Sequence, residues 1–167
     1  PNNYTIEYQN VKPSGSSTTI SYMPNNNSCI YDQAVTLGDA PVLSGYTFGG
    51  WYADSGCTEA YRLGDAGQVI EKANLTKDVN GVVKAYPKWT ANTYTVTFDT
   101  DGGSCSEASR QMVFDKEYTS AGALPVPTKA NHIFLGWTLN GVDLKSSDYV
   151  RIAGNHSLKA KWMSLKW

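Results

Sequence analysis

The feature that most constrains this chain is an internal duplication. Four short blocks recur in the same order: 4–8 with 94–98, 30–32 with 113–115, 48–51 with 134–137, and 88–89 with 161–162. The third pair shares the pattern Phe-x-Gly-Trp and the fourth shares Lys-Trp, so four of the five tryptophans fall at two equivalent places. A repeated order of this kind indicates one structural unit used twice. We therefore predict two tandem modules, 1–91 and 92–167, within which the repeats themselves span 4–89 and 94–162.

The two copies differ mainly in one interval. Between its two matching tryptophans the first copy advances 38 positions, from Trp51 to Trp89, whereas the second copy advances 25. The first copy thus carries about 13 extra residues. We place this insertion within 58–83 and expect a longer loop or an added short element there. Inside it, Gln68–Asn74 is predicted to form one or two helical turns.

The matching blocks have the periodicity of β-strands. Tyr94, Val96 and Phe98 alternate with threonines, which places the aromatic and aliphatic side chains on one face. Residues 4–8 show the same alternation. The connection 121–127 is too rich in proline for a regular helix but has room for a single turn. Further strands are predicted at Gln111–Asp115, Ile133–Thr138 and Ser157–Trp162. The pattern predicts a mainly β chain, in which each module holds a small sheet with one hydrophobic face.

Charge excludes several classes of partner. The chain has 14 Lys and Arg against 15 Asp and Glu, for a formal net charge of −1, and the two halves are similarly balanced. Neither half has the basic excess that binding to nucleic acid or to an anionic membrane surface requires. No run of residues approaches the roughly 20 apolar positions of a membrane-spanning helix. We therefore expect no nucleic-acid partner and no membrane span in this part of the protein.

The two ends of the chain indicate the cellular compartment of the protein. The chain begins Pro-Asn-Asn-Tyr and ends Leu-Lys-Trp, without a leader or anchor, so we expect it to be an internal piece of a longer exported protein.

The three cysteines are not spaced for zinc. Cys29 and Cys57 lie in the same half and could form a disulfide, although free or buried thiols are the simpler interpretation.

Taken together, the blocks resemble the Listeria–Bacteroides repeat, also called the internalin B-repeat. Its pattern begins with a strand of the Tyr-Thr-Val-Thr-Phe type and a turn ending in Gly-Gly, and it closes on Gly-Trp and Ala-Lys-Trp blocks. The second copy supplies every block: Tyr94–Phe98, Asp99–Gly103, Leu124–Thr128, Phe134–Trp137 and Leu158–Trp162. The first copy lacks the Gly-Gly turn and is a divergent member. The resemblance implies a compact β-grasp-like (α+β) module with a sheet of four or five strands. It also implies an extracellular place on the bacterial cell surface or wall, and no catalytic activity or cofactor.

Individual residues offer few candidate sites. Trp51, Trp89, Trp137 and Trp162 could stack on sugar rings, but their repeated placement on strands favours a role in the core. The segment Asp99–Gly102 resembles the start of a calcium loop, yet the twelfth position is an arginine where a glutamate is needed, so a turn is favoured. His132 and His156 lack the surrounding sequence of a catalytic site and are interpreted as surface residues. No catalytic or metal site is predicted.

Two functions remain open. A duplicated module without a catalytic set is typical of a stalk or spacer unit that also mediates interactions. The alternative is an adhesin-type binding module for a host glycan, a glycosaminoglycan or an extracellular protein, because recognition often resides in a divergent loop on a rigid scaffold. Tyr61 and Tyr86 are then the first ligand-binding candidates. We expect a monomer in both cases.

Overall fold

The computed structural model describes residues 2–166, and its regular elements are almost all β-strands. Within that range there is no α-helix, and one 3₁₀ turn covers Glu59–Tyr61. The chain divides between Thr90 and Ala91 into two compact units, which we call unit 1 and unit 2. Each holds one five-stranded sheet, which confirms the prediction of a mainly β fold with a small sheet in each half.

Unit 1 has a sheet of order β3-β1-β9-β6-β7. Its central strands, β1 and β9, run parallel and pair from Tyr4 with Gly81 to Tyr8 with Ala85. Two short antiparallel pairs, β2 with β5 and β4 with β8, lie outside this sheet. The strands are β1 Asn3–Tyr8, β2 Ile20–Tyr22, β3 Asn27–Ile30, β4 Val35–Thr36, β5 Val42–Leu43, β6 Tyr46–Tyr52, β7 Arg62–Gly64, β8 Val69–Ile70 and β9 Gly81–Ala91.

The core of unit 1 follows from the alternation in β1. Tyr4, Ile6 and Tyr8 face inward and are 3%, 0% and 7% exposed. Because a buried phenol needs a hydrogen-bond partner, both tyrosines reach polar groups of the loops that cover the sheet. The hydroxyl of Tyr4 donates to the carbonyl of Ala73 at 2.9 Å, and that of Tyr8 accepts from the backbone N–H of Gly38 at 2.7 Å. The opening strand therefore fixes both the core and the loops over it.

Unit 2 repeats this arrangement with a sheet of order β11-β10-β14-β12-β13. Its central strands, β10 and β14, are again parallel, and Val96 and Leu158 between them are fully buried. Leu124, from the proline-containing connection, packs against this core, and a hydrogen-bonded turn between Thr119 and Gly122 precedes it. The strands are β10 Thr93–Asp99, β11 Ser109–Val113, β12 His132–Leu139, β13 Val142–Asp143 and β14 His156–Ser164. Each unit is thus a mixed sheet with a parallel central pair, and the α-helix that the α+β, β-grasp-like expectation implied is not present within residues 2–166.

One expectation about the insertion is wrong. Gln68–Asn74 is not helical: Val69 and Ile70 form strand β8, because these two β-branched residues pair with Val35 and Thr36 of β4. The extra residues are divided between two connections, the first of which begins at 53 and overlaps the predicted interval 58–83. The loop between β6 and β7 covers 53–61, whereas the matching loop of unit 2 is the two-residue turn Asn140-Gly141. The longer connection between β7 and β9 accounts for most of the remaining difference.

Candidate functional site

The first tryptophan of each unit is a core residue. Trp51 is 0% exposed and Trp137 is 5% exposed. Each indole N–H donates to a backbone carbonyl of the covering connection, that of Gly38 at 3.0 Å and that of Pro125 at 2.9 Å. This bond satisfies the one polar atom of a buried indole. For these two residues the prediction of a core role is confirmed, and they offer no surface for stacking.

The second tryptophan of each unit lies at the border of the core and is half-buried. Trp89 and Trp162 stand near the ends of the last strands, β9 and β14. Their indole N–H groups donate to the carbonyls of Val11 at 3.0 Å and Thr100 at 2.8 Å. Their rings meet a phenylalanine of the neighbouring strand edge to face, with centroids 6.0 Å apart in unit 1 and 5.5 Å apart in unit 2. The core role therefore holds only in part for this pair, because part of each ring reaches the surface.

A hollow lies beside each of these half-buried tryptophans. The hollow of unit 2 has a volume of about 520 Å³ and is lined by both acidic and basic side chains. Its basic side chains already have partners within the unit: Lys161 lies 3.2 Å from a carboxylate oxygen of Asp143, and Lys129 donates to the carbonyl of Asp101 at 3.0 Å. The ammonium of Lys129 also stands 5.9 Å from the centroid of the Trp162 ring. A ligand that stacks on this indole has to displace a lysine first.

The hollow of unit 1 is larger and differs in charge. Its volume is about 660 Å³, and it is formed by residues 11–14, 55–57 and 87–89. None of these lining residues is acidic, while Lys12 and Lys88 are both among them. Residues 55–57 belong to the loop that is longer in the first copy, so the insertion supplies one wall. Two lysines beside an apolar face suit an anionic ligand with a flat apolar side, but the ammonium of Lys12 already donates to the carbonyl of Thr18 at 3.0 Å and the carboxylate of Asp54 lies near Cys57.

The two tyrosine candidates lie outside both hollows. Tyr61 is 58% exposed at the end of the 3₁₀ turn. Tyr86 is half-buried on β9, between the exposed residues Lys84 and Lys88 and on the face of the sheet opposite Ala85. Side chains two apart on a strand share a face, so the lysines flank the ring on the open side of the sheet.

The cysteines do not pair. Cys29 is buried in the core of unit 1, and its thiol lies 3.7 Å from the carbonyl of Asn27. The thiol of Cys57 lies 3.6 Å from the carbonyl of Pro87, in the hollow beside Trp89. Burial raises the pKa of both thiols, and the nearby carboxylate of Asp54 adds to the effect at Cys57. The structure has no disulfide between Cys29 and Cys57, and burial favours the protonated form of both thiols, which is the less reactive form.

The segment that resembles a calcium loop is a turn, as predicted. The N–H of Asp101 donates to a carboxylate oxygen of Asp99 at 3.0 Å, and the N–H of Gly103 donates to the carbonyl of Thr100 at 3.1 Å. Gly102 has a φ of +90°, which favours glycine. No group of three His, Cys, Asp or Glu side chains within residues 2–166 is placed to hold a metal ion.

The histidines have structural partners. His132 lies with Nδ1 2.7 Å from the carbonyl of Ala130 and contacts Trp162 edge to face. His156 lies with Nδ1 2.9 Å from the carbonyl of Gly154, which assigns the proton to that nitrogen, so Nε2 accepts from the hydroxyl of Tyr118 at 2.8 Å. Burial, and next the charge of Asp148, raises the pKa of Tyr118 to about 12.

The interpretation of His156 as a surface residue is thus only partly right, because this side chain reaches a buried tyrosine. The sequence carried no signal for the pair, because the position of Tyr118 in the first copy is occupied by Val35.

Comparison with known proteins places these units in a family. The model of the Listeria-Bacteroides repeat domain matches the chain twice, over residues 4–76 and 94–161. Two proteins of Evansella cellulosilytica, described as a Gly-rich membrane protein and a membrane protein, are 30% and 31% identical over 86% of the chain. Internalin H of Listeria monocytogenes is 28% identical over 81% of it.

These relatives are much longer than the matched region. The alignments span 16%, 21% and 24% of their respective lengths. No solved structure matches the chain significantly. Among the described residues there is no helix long and apolar enough to cross a membrane.

Proposed function

Because the chain belongs to the Listeria-Bacteroides repeat family and contains two copies of its domain, we propose that it is a non-catalytic repeat module of a bacterial cell-surface protein. In this proposal it acts as a spacer and interaction unit between the cell and a more distal part of the protein. Internalin H and the two membrane proteins, of which the matched region is a minor part, support a place within a larger surface protein.

The observation that carries the proposal is the completeness of each copy. Unit 1 and unit 2 each have their own five-stranded sheet and their own cluster of buried side chains. Only Asn92 separates the last strand of unit 1 from the first strand of unit 2. A module that buries its own hydrophobic face can be added to a chain in any number, which is the property that a spacer needs.

A display experiment tests the spacer role. A small binding domain is anchored to a bacterial surface either directly or through residues 1–167, and capture of ligand-coated beads is measured. We expect the chain to increase bead capture while capture of a small soluble ligand stays the same. A variant carrying the double substitution Ile6→Asp and Val96→Asp, which unfolds both units, controls for chain length. Equal bead capture with and without the folded chain would remove the spacer role.

The hollow beside Trp89 supports a second function, binding of an anionic glycan. Lys12 and Lys88 supply positive charge, the indole supplies an apolar face, and the divergent loop 53–61 supplies a wall. Lys88 is not held by a carboxylate; its ammonium stands 5.6 Å from the centroid of the Tyr52 ring. In this proposal a glycosaminoglycan chain occupies the hollow, and its binding weakens as salt screens the two lysines.

Replacement of the loop tests the binding role. Residues 53–61 are exchanged for Asn-Gly, the turn that joins the corresponding strands of unit 2, and binding is measured on an array of sulfated and neutral glycans. We expect saturable binding by the full chain that is lost with the exchange and reduced by Lys88→Ala. Lys84→Ala is the matched control, since Lys84 lies on the same strand but does not line the hollow. An equal loss of glycan binding in both lysine variants would indicate that the site is the face around Tyr86. If the full chain binds no glycan on the array, only the spacer role remains.

A further inference from the structure

The parallel pair at the centre of each sheet joins the two ends of the unit. The chain enters unit 1 through β1, beginning at Asn3, and leaves it through β9, ending at Ala91. It enters unit 2 through β10 at Thr93 and leaves through β14 at Ser164. In each unit the entering and leaving strands are immediate neighbours in the sheet and run parallel. Tension along the chain therefore pulls these two strands past each other in opposite directions.

Hydrogen bonds cross the pair of unit 1 along the whole of β1. In unit 1 the ladder runs from Tyr4 with Gly81 to Tyr8 with Ala85. It is extended at one end by the bond from the N–H of Asn80 to the carbonyl of Asn3, and at the other by the bond from the N–H of Gln9 to the carbonyl of Ala85, both 2.8 Å. Parallel ladders are evenly spaced, so a load along the strands is shared by all these bonds at once.

Unit 2 has the same construction. Its ladder joins Val96 with His156 through to Asp99 with Lys159, and a side-chain bond of 2.9 Å from the N–H of Thr95 to Asn155 extends it. Both central strands have a fully buried residue within the ladder, Val96 and Leu158. Each is also bonded on its outer side to a further strand, β11 or β12. Sliding one strand past the other therefore breaks this ladder and core packing together.

We propose that this parallel pair is a mechanical clamp, which makes each repeat resist unfolding when the protein is stretched from end to end. This proposal rests on the proposed spacer function, because a surface spacer transmits the force between the cell and whatever its distal part holds. Forced unfolding is governed by the rate of crossing the unfolding barrier and not by equilibrium stability. In end-to-end loading that barrier is the simultaneous rupture of the ladder, whereas peeling the same strands from one end breaks the bonds one by one.

Optical-tweezers measurements on the full chain 1–167 test the clamp. Handles on the two termini load it along the strands, and handles on Thr93 and Ala153, attached through non-natural amino acids, peel β10 from β14 beginning at their first residues. We expect two unfolding steps in the terminal geometry, with contour lengths close to 300 Å and 260 Å, from about 3.3–3.6 Å per residue. We also expect a rupture force for unit 2 that is several-fold higher than in the peeling geometry. Equal forces in the two geometries would overturn the clamp.

A matched pair of substitutions separates the clamp from general stability. Val96→Ala removes two methyl groups within the clamp, and Val150→Ala removes the same two from an equally buried position outside it. We expect similar losses of thermal stability, but a lower end-to-end rupture force only for Val96→Ala, because packing around Val150 is still intact when the clamp ruptures. Equal losses of force would overturn the proposal. The display experiment is independent of both results, so the spacer role can survive the loss of the clamp.

Discussion

Substitution of Gly103 by alanine tests the packing of the Gly-Gly turn against Trp162. A Cβ atom at this position would lie 2.6 Å from the carbonyl oxygen of Thr128 and 2.8 Å from Cζ2 of Trp162. Neither neighbour yields readily, because that carbonyl accepts from the N–H of Ser104 at 2.7 Å and the indole N–H is bonded to Thr100. Overpacking of this kind costs about 1–3 kcal/mol. The smaller freedom of alanine in the unfolded chain offsets about 0.4–1 kcal/mol, so the net loss is about 1–2 kcal/mol.

Scanning calorimetry of the full chain measures the effect. For a domain of this size about 1 kcal/mol corresponds to a shift of about 4–8 °C, so the transition of unit 2 should fall by about 5–15 °C. Gly154→Ala is the matched control, because a Cβ there meets nothing within 4 Å and the backbone φ is not in the left-handed region. We expect the control to leave the transition unchanged or to raise it slightly. An unchanged transition in Gly103→Ala, or an equal fall in Gly154→Ala, would refute the packing argument.

Three further outcomes are expected. Trp51→Phe should destabilise unit 1 by about 2–3 kcal/mol, because it leaves a cavity and removes the hydrogen-bond donor of the Gly38 carbonyl. The loss is measured as a lower urea midpoint. A change below about 0.5 kcal/mol would contradict the buried indole bond. Raising the pH from 10 to 12 should destabilise unit 2. Tyr118 ionises near pH 10 in the unfolded chain, but in the folded chain its pKa is raised to about 12 and it stays protonated. This loss of stability should disappear in Tyr118→Phe. Without reductant, the unfolded chain should take up three alkyl groups and the folded chain should protect Cys29 best; uptake of a single group would indicate a disulfide.

Much of the fold could be predicted because the signals were local and duplicated. The alternation of Tyr94, Val96 and Phe98 identified strand β10, and the matching segment 4–8 identified β1. The paired blocks also bracketed β12 and β14 to within two residues at each end. The Gly-Gly turn followed from the residues that occupy it. In each case the signal lies within the segment that it identifies.

The errors fall where distant pairing decides the structure. Val69 and Ile70 are extended because they pair with β4, some 34 residues earlier, and nothing within Gln68–Asn74 shows this. The loop 53–61 begins before the predicted interval 58–83, and its bounds were not predictable because strand β7 has only three residues and no clear pattern of its own.

The candidate site was predictable only in part. The tryptophans were found, but whether each is enclosed depends on the covering loops. Trp51 and Trp137 are buried by the connections whose carbonyls accept their indole hydrogen bonds. Trp89 and Trp162 lie near the ends of their strands and are only half-buried. The hollow in unit 1 is lined by three separate segments of the chain, two of which supply its lysines, and no single segment predicts it.

The most direct test of the central claim compares the unfolding of the full chain with that of its halves. Calorimetry of 1–167, 1–90 and 91–167 would show whether each copy is a self-sufficient module, as the spacer role requires. We predict two transitions in the full chain, each reproduced by one half at nearly the same temperature. Halves that fail to fold, or a single transition of the full chain that neither half reproduces, would contradict the account.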